Sequence, residues 1–257
     1  MVLIISPIGL ENYYIFNLIY KIKNHMNYIG IDISLNSTAV FIETSEKKSI
    51  ISITNKGDRN IYIKELSRYG VVFLYFDREK SDNYSENEIL KIRHYNMVST
   101  LLVSEIVKRI ELKEKTYCQI EGYSFSKNTS SILDIVSLST LIRSKLIESI
   151  PDLDMTIISP SSLKLETCKM VYDPVNIGIK KSKFVFRNNQ GISGGSFKKP
   201  QMFRAMIEGN IDTPIYEMLV SYKDLMDRDK IPNPIEDIID ATFACKIKIR
   251  EVENAVG

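Results

Sequence analysis

The chain has 257 residues, 44% of them hydrophobic, and a formal net charge of +2. That length holds one large domain or one domain with an appended element, and the near-balanced charge means that any nucleic-acid footprint has to be local. Three widely spaced cysteines without a CxxC pair, and only two histidines, argue against a disulfide framework, zinc chemistry and histidine-based triads, and predict a reducing compartment, the cytoplasm.

Residues 1–10 are apolar, but Glu11 and Asn12 end the run well short of the ~20 apolar residues of a membrane span. Lys21 and Lys23 follow that run, whereas a signal peptide carries its basic residues first. Residues 1–26 therefore read as an extension, with Met26 the first working residue, in preference to an amphipathic docking helix. No membrane association is expected. Residues 27–257 form the folded domain.

Residues 28–34, 38–43 and 49–54 are short, rich in Ile and Val, and separated by Asn, Ser and Lys, which predicts three consecutive strands in a meander. Residues 71–76 are continuously apolar, and fit a strand or a buried helix equally. Residues 85–111 carry Ile89, Ile92, Val98, Leu101, Leu102, Ile106 and Ile110 at helical spacing. Residues 116–121 read as a strand. Thr129 or Ser130 caps a helix to about residue 147. Residues 155–159 read as a strand stopped by Pro160, and residues 200–208 and 235–250 as closing helices. Strands first, then alternating strand and helix, predict an α/β layered domain with a mixed central sheet flanked by helices.

Four carboxylates stand at the ends of these elements. Asp32 ends one apolar run and Glu121 ends another, while Asp237 and Asp240 lie one turn apart on the last helix. Asp32 alone is readable as a turn former. Glu121, closing an apolar strand before Gly122, is poorly explained by packing. Pro232 and Pro234 place the helix start nearby, so Glu236 and Asp237 also suit the positive end of a helix dipole. Asp240 lies deeper. Together the acids could face one point, and converging carboxylates need protons or a cation in compensation. A hard divalent ion with oxygen ligands is the usual solution.

Residues 174–207 are the compositional anomaly: Lys180, Lys181, Lys183, Arg187, Lys198, Lys199 and Arg204 with no acidic residue. A solvated loop and a phosphate-contacting surface both fit this.

The motifs Tyr28-Ile29-Gly30-Ile31-Asp32-Ile33-Ser34, Ile120-Glu121-Gly122-Tyr123-Ser124-Phe125-Ser126-Lys127-Asn128, Ser159-Pro160-Ser161-Ser162-Leu163-Lys164 with the later Gly194-to-Met202 segment, and Asp237-Ile238-Ile239-Asp240-Ala241 together resemble the RuvC-type Holliday-junction resolvases, and particularly their phage-encoded branch. The resemblance implies a ribonuclease H-like three-layer fold. It implies a magnesium-dependent endodeoxyribonuclease acting on branched DNA, the four-way junction above all, as a homodimer, in the host cytoplasm if viral. It also implies two Mg²⁺ per site, with Mn²⁺ substituting, on Asp32, Glu121, Asp237 and Asp240. In this reading Lys199 and Lys164 hold phosphates and Lys198 assists from the groove. Lys127 and Asn128 contact the strand, as do Lys180, Lys181, Lys183 and Arg187. The bacterial pattern places an aromatic wedge where this chain has Ser124, so base stacking falls to Tyr123 or Phe125. Residues from about 167 to 198 look like a basic insertion relative to that pattern.

Three other readings compete. A flap- or fork-type nuclease would share the chemistry. A non-catalytic structure-specific DNA-binding protein would share the scaffold, although the intact acid set argues against it. An actin-like ATPase also opens with a strand ending in Asp, but the glycines that let phosphate approach are missing after Asp32.

Overall fold

The computed structural model describes residues 25–55, 60–123, 129–176 and 184–256. The strands are β1 (Met26–Asp32), β2 (Ser37–Glu43), β3 (Lys48–Thr54), β4 (Val72–Tyr75), β5 (Lys115–Glu121) and β6 (Leu153–Ile158). They form one sheet in the order β4-β3-β2-β1-β5-β6. β2 pairs antiparallel with β1 and β3, and the other pairings are parallel. Five strands therefore end at one edge of the sheet. The chain order leaves β1 in both directions, towards β2 on one side and β5 on the other. The carboxyl ends flanking such a switch point are where open α/β sheets bind ligands.

Seven helices connect or cover the strands among the described residues: α1 (Ile61–Arg68), α2 (Tyr84–Val107), α3 (Thr129–Ser149), α4 (Pro160–Val171), α5 (Lys199–Glu208), α6 (Tyr216–Ser221) and α7 (Ile235–Val256). Their starts are written locally. Asn60 accepts from the Tyr62 amide at 2.9 Å and Asn83 from the Glu86 amide at 3.0 Å. Ser159 accepts from the Ser162 amide at 3.1 Å, with Pro160 in the first turn, and each cap satisfies an otherwise orphaned donor. A small hairpin, β7 (Pro174–Asn176) with β8 (Phe184–Phe186), lies apart from the main sheet.

Strand side chains alternate between faces, and here each face has its own core. Ile29, Ile31, Val40, Ile42, Ile51, Ile53, Cys118 and Ile120 pack with Val98, Leu102 and Ile106 of α2 and Leu138, Ile142 and Leu146 of α3. Tyr28, Ala39 and Phe41, on the other face, pack with Ile235, Ile238, Ala241 and Phe243 of α7, and with Leu163 of α4 and Phe203 of α5. Each fully buried Ile or Leu is worth roughly 1.5–3 kcal/mol of transfer free energy, so both helix layers are held firmly to the sheet. This is the α/β layered arrangement that the sequence predicts, a mixed central sheet flanked by helices on both faces. The expected strands and helices all appear, and the ambiguous run at 71–76 contains the edge strand β4. The expected extension, residues 1–26, lies outside the described residues up to residue 24.

Candidate active site

Asp32 and Glu121 are the last residues of adjacent parallel strands. Ile31 is paired with Ile120, so the next residue on each strand emerges beside the other. Ile31 and Ile120 point to the α2–α3 face, which puts both carboxylates on the α7 face. α7 delivers Asp237 and Asp240 to the same place from its first two turns. Carboxylate oxygens of Asp32, Glu121 and Asp240 all lie within 4.8 Å of one another. Asp237 stands beside this trio and not within it, although Asp32 feels its charge.

Burial makes the cluster electrostatically costly. Asp32, Asp237 and Asp240 are 9%, 3% and 2% exposed, where an unpaired charge loses its hydration. Burial first, and then the charges of Glu121, Asp237 and Asp240, push the Asp32 carboxyl well above the usual range. Glu121 is pushed up to about 7, by burial and then by Asp240. Asp237 is also pushed up to about 7, by burial and, more weakly, by Glu236 and Asp240, while the Ser37 hydroxyl and Lys199 pull the other way. Among the described residues, neither Asp237 Oδ2 nor Asp240 Oδ1 has a hydrogen-bond partner. Buried acceptor oxygens without donors, in a cluster where the carboxyls of Asp32, Glu121 and Asp237 are raised, suit a hard cation with oxygen ligands.

Two lysines face the cluster. Lys199, at the start of α5, contacts Asp240 closely and Glu236 at 3.2 Å. Burial alone would lower its pKa, but the charges of Asp240, Asp32 and Glu236 prevail and raise it. It is therefore a fixed positive charge. Lys164, on α4, lies close enough for its charge to favour ionised Glu121. Lys198 is exposed immediately before Lys199, and exposed Arg187 bridges to Ser193 through the backbone. Tyr123, two residues beyond Glu121, is half-buried with the Arg143 guanidinium 5.1 Å from its ring centre. Phe125, Lys127, Asn128, Lys180, Lys181 and Lys183 lie outside the described residues.

Three neighbours of the site were not assigned from the sequence: Ser37 beside Asp237, Glu236 beside Lys199, and Arg143 over Tyr123. Only Glu236 carried a signal, its place one turn before Asp240. Cys118, Cys168 and Cys245 are free and buried. No helix among the described residues is long and apolar enough to cross a membrane.

Neither protein-family models nor curated protein sequences match this chain. Among solved structures it is similar to Thermus thermophilus RuvC, with a TM-score of 0.39 and 8% identity over 90% of this chain and 97% of that chain. It is also similar to T. thermophilus RuvC in complex with Holliday junction substrate, at 0.35 and 8% over 88% and 96%. The yeast mitochondrial Holliday junction resolvase Ydc2 gives 0.47 and 12% over 91% and 84%.

Proposed function

We propose that this chain is a structure-selective endonuclease that hydrolyses phosphodiester bonds in branched DNA, with the four-way junction as its principal substrate. The observation that carries this reading is the convergence of Asp32, Glu121 and Asp240 within 4.8 Å at the carboxyl ends of β1 and β5, with lysines at their side. Two Mg²⁺ or Mn²⁺ ions held by Asp32, Glu121 and Asp240, with Asp237 a direct or water-mediated ligand, would supply an activated water and neutralise charge on the attacked phosphate.

The chain's own groups account for the rest. Asp32, the last residue of β1, is the candidate shared ligand. Lys199, held protonated by three carboxylates, offers charge to a phosphate oxygen from beside the cluster. Lys164 supports from the Glu121 side, and Lys198 and Arg187 reach the backbone from the exposed rim. Tyr123, backed by Arg143, and Phe125 are the candidate platforms for an opened base. Lys127, Asn128, Lys180, Lys181 and Lys183 complete the backbone contacts, the last three within the proposed basic insertion at about 167–198. A homodimer would set two such sites against the two strands of a junction. The phage origin and cytoplasmic location belong to the same proposal.

The test is incubation of synthetic four-way junctions, flaps and linear duplex with Mg²⁺, reading product ends and symmetry. Paired symmetric nicks in the junction support the reading. Preferential cutting of flaps or forks would redirect it to that class of nuclease. Tight junction binding with no Mg²⁺-dependent cleavage would make the chain a structure-specific binder on a nuclease scaffold.

A further inference from the structure

We propose that Glu236 is a positioning residue, which acts on the nuclease chemistry through Lys199 by keeping that ammonium at the acid cluster. The inference rests on the function proposed above. Glu236 and Asp240 are four residues apart on α7, so they share a helix face. Both meet the same Lys199 Nζ, which lies 3.2 Å from Glu236 Oε1 and closer still to Asp240 Oδ2. The two partners differ in depth. The Asp240 side chain is 3% exposed and the Glu236 side chain 23%, so the ammonium bridges an interior acid and an outer one.

That bridge answers a conflict in the site. Asp240 is needed both by Lys199 and by any cation drawn to Asp32 and Glu121. A cation engaging Asp240 repels the ammonium, and a lysine is a point charge on a long, flexible stem whose rotamer entropy favours release. Glu236 supplies a second anchor one turn outward. Lys199 can yield Asp240 and still stay beside the cluster, where a phosphate arrives. Without Glu236, Asp240 is the one carboxylate left at ion-pair distance from Lys199 among the described residues, and the lysine competes harder for it. Besides its place in the first turn of α7, Glu236 has no other ion-pair partner than Lys199 among the described residues.

The experiment is a double-mutant cycle on Mn²⁺ affinity, measured by electron paramagnetic resonance without DNA, for the wild type, Glu236→Gln, Lys199→Met and the double variant. Glu236→Gln should weaken Mn²⁺ binding by up to about fivefold, the upper end for a partly exposed ion pair, and should have no effect once Lys199 is Met. Glu236→Asp keeps the charge but retracts the carboxylate from its 3.2 Å approach, and should behave like Glu236→Gln. An equal weakening in both lysine backgrounds, or a Glu236→Asp protein indistinguishable from wild type, would show Glu236 acting merely as a nearby negative charge and overturn the proposal. A wild-type protein inert on branched DNA, with the coupling to Lys199 intact, would remove the nuclease reading and leave the positioning pair standing.

Discussion

A Cβ on Gly30 would overlap the carbonyl oxygen of Ala241, and would fall 2.9 Å from the Cys245 Cβ. The backbone of α7 therefore rests directly on β1, two residues before Asp32 and one before Ile31. Ala241 is the residue after Asp240. This bare contact is what brings an acid on a helix to an acid on a strand.

Gly30→Ala should accordingly damage both stability and site. The added methyl meets backbone, which cannot swing aside, and overpacking of that kind costs about 1–3 kcal/mol or more. Urea unfolding should show the destabilisation, with weakened Mn²⁺ binding in the fraction that folds. Wild-type stability in this variant would mean that α7 is not pressed on β1.

Asp32→Asn should abolish cleavage and leave junction binding intact or tighter, because it removes a negative charge facing phosphate. Gel shift in Ca²⁺, which should support binding without turnover, separates the two effects. Retained Mg²⁺-dependent nicking would refute the role given to Asp32.

The raised carboxyls make a pH prediction of definite sign. Glu121 and Asp237 rise from ordinary values of 4.5 and 3.8 to about 7. Between about pH 4 and pH 7 the folded protein therefore holds more protons than the unfolded chain, so its stability falls as pH rises through that window and levels off above it. The melting temperature of the metal-free protein should drop from pH 5 to pH 7. Glu121→Gln should flatten the slope, and Mn²⁺ should add more stability at pH 8 than at pH 5. A melting temperature that climbs across the window contradicts the burial argument.

How much of the fold is legible in the sequence varies with how local the signal is. The β1, β2 and β3 strands and the long helices α2, α3 and α7 announce themselves through runs of Ile, Val and Leu with a clear period. Helix α4 does not, because Pro160 reads first as a strand stop, yet Ser159 before a first-turn proline is also a helix start. Helix α1 buries just Ile63 and Leu66, too few for a pattern, and the three-residue strands of β7 and β8 are too short to alternate. Strand β4 is ambiguous because residues 71–76 are continuously apolar, with no alternation to tell a strand from a buried helix. Asp32 and Glu121 are visible because they end their strands, and Asp237 and Asp240 because they stand one turn apart near the start of an apolar helix. The Gly30 contact has a faint cue, an isolated glycine inside a strand. The spacing sets Glu236 one turn before Asp240, but its pairing with Lys199, and that of Arg143 with Tyr123, depends on which elements pack together.

Replacing Lys180, Lys181 and Lys183 together should weaken junction binding and flatten its salt dependence, by up to ~0.9 log–log slope units for each phosphate no longer neutralised. Filter binding across a salt series measures this. An unchanged slope would return those lysines to an ordinary solvated surface.

The most direct measurement is an anomalous difference map from crystals grown with Mn²⁺. The carboxylate cluster predicts Mn²⁺ bracketed by Asp32, Glu121 and Asp240, and absent from Asp32→Asn. Mn²⁺ bound elsewhere, with these three side chains closed around protons and Lys199 alone, would contradict it.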